Sequence, residues 1–243
     1  MRAQVMELGF DTLTMEETVA YAMEHIRARA RCRVVTPNAE FGLMARRDKL
    51  FRDVLNGSQL VLPDGIGVIY ASRIVGSRVP HRVAGADFAQ TLCGAMAKEG
   101  MRLFLLGAKP GVAEAAAENL KNAYPGLLIA GTKDGYFRDD REAVAAVAES
   151  GADAAFICLG APKQERFMAE YDAELTPPVL VGLGGTLDVL AGKVSRAPAF
   201  FQKAGLEWFY RLIKEPKRAG RMARLPLYLW YALLWRMGGR KDA

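Results

Sequence analysis

The feature that most narrows what this chain can fold into is a local plan repeated along it: a short apolar run, a glycine or proline turn, then a stretch of helical periodicity. "RCRVVTP" stops its β-branched run at Pro37 and passes into "AEFGLMARRDKLFRDVL", where Phe41, Met44, Leu50 and Leu55 recur at approximately helical spacing. "QLVLPD" is followed by a helix through "GVIYASRIV", and "GADFAQTLCGAMAKEG" reads as a helix that ends at Gly100. In "RLFLLGAKPG" a buried strand breaks at Gly107 and hands over to a helix with Pro110 near its first position. "LLIAGTKDGYF", "AAFICLGAPKQERFM" and "PPVLVGLGGTLDVLAG" follow the same plan. Short apolar strands separated by helices require crossover connections, so the expected fold is α/β: a Rossmann-like, doubly wound, mainly parallel sheet covered on both faces.

The plan stops near Ser195, after which only helical patterns occur. The expected division is a catalytic domain at 1–194 and a helical, basic and aromatic appendage at 195–243. Charge supports the division. The 243 residues carry a net +6, but Lys203 to Ala243 holds ten Lys/Arg against three Asp/Glu, leaving the rest of the chain at −1. A near-neutral body with a basic tail assigns the charge to the tail's partner. Within "KRAGRMARLPLYLWYALLWRMGGRK", the apolar run Leu225 to Trp235 is 11 residues long, whereas a membrane-crossing helix needs about 20. The run is therefore expected to lie in a membrane interface, with Trp230, Trp235, Tyr228 and Tyr231 at headgroup level and the arginines toward anionic lipid. Its leucine content argues against a nucleic-acid arm. The N-terminal "MRAQVMELGFDTLTMEE" has no apolar stretch suited to export, and Cys32, Cys93 and Cys158 are scattered like core residues of a reduced compartment.

Ligands of open parallel sheets bind beyond the carboxyl ends of the strands. The informative loops are then "TPNAE", "PDGIG", "GAKPG", "GAPKQE" and "GLGGTLD". Glycines such as Gly65, Gly107, Gly160, Gly184 and Gly185 let backbone N–H groups approach phosphate oxygens, and helix N-termini favour anions. A nucleotide or other phosphorylated ligand is expected. The usual fingerprints fail: Leu187 and Tyr70 stand where G-x-G-x-x-G needs its last glycine, and Gly192-Lys193-Val194 lacks the rest of a P-loop. His25 and His81 are the only histidines, no zinc-type spacing occurs, and there is no D-x-D pair for a metal-bridged diphosphate.

"TPNAE", "PDGIGV", "HRVAGADF", "LFLLGAKPGVAEAAAENL", "GYF", "GAPKQE" and "GLGGTLDVLAGKVSRAPAFFQKAGLEWFYRLIKEPKR" together resemble the WecG/TagA/CpsF family of bacterial glycosyltransferases, over nearly the whole chain and in the family's order. The resemblance implies transfer of an N-acetylmannosamine-type sugar from a UDP donor to an undecaprenyl-diphosphate-linked sugar, with inversion and without metal or other cofactor. Relatives serve wall teichoic acid linkage units, enterobacterial common antigen, capsule and exopolysaccharide. A peripheral enzyme at the cytoplasmic face of the plasma membrane is implied, and a homo-oligomer is left open.

The resemblance matches Asp64 to the family's proposed general base, which would take the proton of the attacking acceptor hydroxyl; the competing reading is a turn aspartate capping the next helix. Thr36 and Asn38 are candidates for bonding the donor sugar or acceptor, against an equal case for helix capping. Arg82 is the candidate for neutralising the leaving diphosphate. Gln164 is a candidate donor contact, while Lys163 and Glu165 are expected at the surface. Asp188 either accepts from uridine or caps a helix, and Tyr136 either stacks on uracil or packs in the core. Arg211, Arg218 and Arg221, with Lys214 and Lys217, form a basic cluster suited to lipid and to the substrate diphosphate. Two rival readings stay open from the residues alone: a nucleotide-cofactor oxidoreductase, and a non-enzymatic nucleotide-sensing adaptor whose tail binds membrane or nucleic acid.

Overall fold

The computed structural model describes residues 2–195, 197–198, 200–201, 210 and 224–238. The apolar runs become six parallel strands: β3 (Cys32–Val35), β4 (Leu60–Val61), β5 (Arg102–Gly107), β6 (Leu128–Lys133), β7 (Ala154–Cys158) and β8 (Val179–Gly182), in the order β4-β3-β8-β7-β5-β6. Alternate side chains of each strand feed two apolar layers, because successive Cβ atoms point to opposite faces. Leu103, Leu105, Phe156, Val179 and Val181 face α1 (Met15–Arg27), α5 (Gly85–Lys98), α6 (Val112–Ala123) and α9 (Thr186–Leu190). Phe104, Leu106, Ala155, Ile157 and Leu180 face α2 (Ala39–Arg47), α3 (Lys49–Asn56), α4 (Ile66–Val75), α7 (Asp140–Glu149) and α8 (Lys163–Glu170). The sheet is thus doubly wound, as expected. Cys32, Cys93 and Cys158 are buried in the first layer, and burial pushes each thiol up to about 12.

Two departures have local causes. An antiparallel hairpin, β1 (Arg2–Val5) and β2 (Leu8–Asp11), precedes the sheet. It is fastened to the β4 edge by Asp11, which pairs with Arg2 and accepts from the Val61 amide at 2.8 Å. The long helical pattern after Pro37 is also two helices. Asp48 leaves the helical region (φ −125°, ψ 97°), ends α2, and caps α3 through the Phe51 amide at 2.9 Å.

The last described helix, α10 (Arg224–Met237), lies across α2 and α4. Tyr228 is 1% exposed and Ala232 fully buried in the second apolar layer. Glycines admit the helix: a Cβ on Gly42 would overlap the Tyr228 ring, and one on Gly67 would overlap Leu225. Arg224 pairs with Glu40 at the start of α2, Arg46 stacks over Tyr231 with its guanidinium 3.7 Å from the ring centroid, and Arg236 donates to the Ile74 carbonyl at 2.9 Å. The headgroup-level expectation is therefore corrected for Tyr228, which faces the protein, and Tyr231 is half-buried under Arg46. Leu227, Trp230, Leu233, Leu234, Trp235 and Met237 face outward. Among the described residues no helix is long and apolar enough to cross a membrane.

Candidate active site

Strand direction brings every glycine-bearing loop to one end of the sheet. Crevices open there where neighbouring strands send their next helices to opposite faces, and two of them concern the expected site residues. The first lies between β3, followed by α2, and β8, followed by α9; the second lies between β5, followed by α6, and β7, followed by α8.

Thr36, Asn38, Asp64 and Arg82 gather around the first crevice. Thr36 is buried between two glycines: its Oγ1 donates to the Gly182 carbonyl at 3.0 Å, and a Cβ on Gly85 would stand 3.1 Å from its methyl. The Asp64 amide donates to Pro37 O at 3.2 Å and the Val83 amide to Pro63 O at 3.1 Å, so the loops bearing Asp64 and Arg82 are laid against that bearing Asn38. The N-cap of α4 is Gly65, at φ +98°, and not Asp64. The positive φ at this place requires glycine. Asp64 and Arg82 are both half-buried. Asn38 does cap: its Oδ1 accepts from the Glu40 and Phe41 amides at 2.9 and 3.3 Å, leaving its NH2 as the side available to a ligand.

At the second crevice the backbones of neighbouring loops run close together. A Cβ on Gly107 would run into the Cys158 carbonyl, and Ala108 takes φ +61° while its amide donates to that carbonyl at 3.2 Å. The Gly135 amide donates to Ala108 O at 2.9 Å, pinning the "DGYF" loop to the rim. Tyr136 stands there 68% exposed, which removes its core-packing reading. Asp188 lies half-buried in the first turn of α9, and that helix has no side-chain cap.

Gln164 joins the two crevices. Its Oε1 accepts from the Gly160 amide at 3.1 Å and the Gly184 amide at 2.9 Å, and its Nε2 donates to Glu165 Oε1 at 2.6 Å. At 1% exposure it spends both ends of its amide on the protein. Lys163 is exposed as expected, but Glu165 is not: it is fully buried, and burial pushes its carboxyl up to about 7 against the pull of the Gln164 bond. Helix-first-turn glutamates usually stay in water, so residue type alone gave no signal of this burial.

Helices α4, α5, α6, α8 and α9 all start without a side-chain cap, whereas α1, α2, α3 and α7 start on Thr14, Asn38, Asp48 and Asp139. Uncapped N-termini present N–H groups and a favourable field to an anion. Among the described residues no cluster of three or more His, Cys, Asp or Glu side chains could hold a metal ion. Arg211, Arg218 and Arg221 lie outside the described residues.

A doubly wound parallel sheet with its glycine-bearing loops gathered at one end defines the class of α/β proteins that take their ligands beyond the strand ends. The particular family follows from comparison: residues 3–242 match the model of the glycosyl transferase WecG/TagA/CpsF family, and the chain belongs to it. It is a sugar-transferring enzyme. The chain is 40% identical over 195 residues to the N-acetylglucosaminyldiphosphoundecaprenol N-acetyl-beta-D-mannosaminyltransferase of Bacillus subtilis (strain 168), covering 80% of this chain and 76% of that one. The enzyme of the same description from Bacillus spizizenii is also 40% identical, over 196 residues, covering 81% and 76%. The oxidoreductase and adaptor readings lose their ground with this membership.

Proposed function

We propose that the protein moves an N-acetylmannosamine-type sugar from a UDP donor onto an undecaprenyl-diphosphate-linked N-acetylglucosamine, with inversion and without a metal. The observation that carries this reading is the meeting of Thr36, Asn38 and Asp64 at the ends of β3 and β4, beside the positive-φ turn at Gly65, in a chain of this family. In this reaction Asp64 takes the proton of the acceptor hydroxyl while that oxygen forms its bond to the anomeric carbon. The bond from the anomeric carbon to the UDP oxygen breaks on the opposite side, and its electron pair leaves with the diphosphate. Arg82 and the uncapped helix starts supply the positive field that this charge needs. Gly65, Gly107, Gly160, Gly184 and Gly185 keep the loops low enough for phosphate to approach, Tyr136 stacks on uracil from the rim, and Asp188 accepts from the nucleoside.

The division into a catalytic unit at 1–194 and an appendage at 195–243 fits the membrane-held acceptor. Helix α10 anchors by Tyr228 and Ala232 and turns Leu227, Trp230, Leu233, Leu234, Trp235 and Met237 outward, a face suited to lipid at the cytoplasmic surface of the membrane. The chain enters α10 beside the starts of α2 and α4, so the preceding Arg211, Arg218 and Arg221 are assigned to the acceptor diphosphate and anionic headgroups. The deciding assay uses purified enzyme, a short-prenyl diphosphate N-acetylglucosamine acceptor and a panel of UDP sugars. Transfer from UDP-N-acetylmannosamine in the presence of a chelator is expected; no transfer from any donor overturns the reading.

A further inference from the structure

A buried glutamate in the first turn of a helix ordinarily has one local use: from the N3 position it reaches back to the N-cap amide. Glu165 is at N3 of α8, but the N-cap is Pro162, which has no N–H to offer. Its carboxyl is engaged elsewhere. Oε1 receives the 2.6 Å bond from Gln164, and Oε2 is buried with no partner among the described residues. An unpartnered buried carboxyl oxygen is costly, which sets Glu165 apart from residues kept only for packing.

The neighbouring strand makes room for this pair. A Cβ on Gly182 would stand 3.0 Å from Gln164 Nε2 and 3.3 Å from Glu165 Oε1. The carbonyl of the same Gly182 accepts from Thr36 Oγ1 at 3.0 Å. Glu165, Gln164, Gly182 and Thr36 therefore form one connected series running from α8 to the end of β3, and Gln164 fastens the loops after β7 and β8 within it.

Orientation is the weak point of such a clamp. An amide has nearly the same shape after a half-turn, yet only one orientation places oxygen against the two N–H groups of Gly160 and Gly184. Two donors on one side and an acceptor on the other settle the choice, and Glu165 is that acceptor. From this geometry we infer that Glu165 is a positioning residue for sugar transfer: it orients the Gln164 amide so that the loops after β7 and β8, and hence the two crevices they border, keep one fixed separation. The inference rests on the reading of these loop ends as the transfer site. Misplacement of reacting groups by about 1 Å costs on the order of a hundredfold in rate, so the clamp acts on turnover more than on donor binding.

The test compares Glu165→Gln, which keeps an acceptor oxygen for Gln164, with Glu165→Met, which keeps the bulk and loses the acceptor. Expected are a kcat near the parent's for Glu165→Gln and a loss of about tenfold or more for Glu165→Met, with KM for the UDP sugar changed by less than about threefold. Gln164→Met should show a similar loss, and the double variant no additional one. Amide exchange at Gly160 and Gly184 is measured alongside, and should accelerate in Glu165→Met but not in Glu165→Gln. A parent-like kcat in Glu165→Met, losses that multiply in the double variant, or unchanged exchange at both glycines overturns the inference. If Glu165→Met does not fold, Glu165→Gln decides alone: a tenfold fall in its kcat, or faster exchange at those amides, counts against the clamp. Should the parent transfer no sugar at all, the functional reading fails by itself, and the exchange measurement still tests the clamp.

Discussion

The ring of Tyr228 lies on the bare backbone of Gly42, filling the place where any other residue of α2 would put its Cβ. This contact draws the end of the basic, aromatic C-terminal stretch into the second apolar layer beside the sheet. Gly42→Ala sets two effects against each other. Alanine gains about 1 kcal/mol in helix propensity, while overpacking against a rigid ring costs about 1–3 kcal/mol. A net loss of stability is expected, concentrated at α10. Urea unfolding of Gly42→Ala, and of the same change combined with Tyr228→Leu, checks this; recovery in the double variant is the expected signature, and a more stable single variant would refute the contact.

Trp230 and Leu234 share the outward face of α10 with Leu227 and Met237. Trp230→Glu with Leu234→Glu should abolish sedimentation with anionic vesicles and leave UDP binding and thermal unfolding close to the parent's, since neither side chain is in the core. Cutting the chain after Lys214 would be a poorer test. It also strips Tyr228 and Ala232 from the apolar layer, where losing a large buried side chain costs about 3–5 kcal/mol. Vesicle binding that survives the double substitution would move the membrane contact off this face.

Asp64→Asn keeps the shape of the loop, because the left-handed turn belongs to Gly65 and the bond to Pro37 is made by backbone. With Asp64 as the proposed base, this change should lower kcat by about a hundredfold to ten-thousandfold, with UDP affinity measured by calorimetry within about threefold of the parent's. Near-parental turnover would remove Asp64 from that role.

Glu165 also makes a prediction about pH. Its carboxyl rises from an ordinary 4.5 to about 7, first because of burial. The folded protein therefore binds a proton in that interval which the unfolded chain has released. The stabilisation is full below about pH 4.5, is lost as pH rises toward 7, and amounts to on the order of 3 kcal/mol. Glu165→Gln cannot ionise, so it should be more stable than the parent at about pH 8 and about equal to it near pH 4.5. Denaturant unfolding at both pH values measures the difference; a gap that does not change with pH would show that the carboxyl titrates alike in the folded and the unfolded chain.

The strands were legible in the sequence because most are short apolar runs followed closely by glycine or proline, which break the extended backbone. Asp48 was not legible as a break, since aspartate inside a helical pattern is ordinary until its carboxylate is seen taking the Phe51 amide. The hairpin at Arg2–Asp11 escaped for a related reason: four-residue strands carry little periodicity, and its fastening depends on Val61, 50 positions away. That Asp64 and Thr36 come together at neighbouring strand ends was expected from motif and loop position. The inward turn of Tyr228 and the burial of Glu165 were not, because both depend on glycines in other elements, Gly42 and Gly182, that make room for them.

The neighbourhood of β3 and β8 carries one more consequence. Thr36 reaches across to Gly182, 146 positions later in the chain, and the strand that holds Gly182 is the last of the six to be synthesised. During translation the earlier loops can form only half of the first crevice, and long-range strand pairing is slow to close. A nascent chain on the ribosome therefore has no assembled place in which to consume a donor sugar. The first crevice is complete only once β8 has taken its place between β3 and β7, in the middle of the sheet.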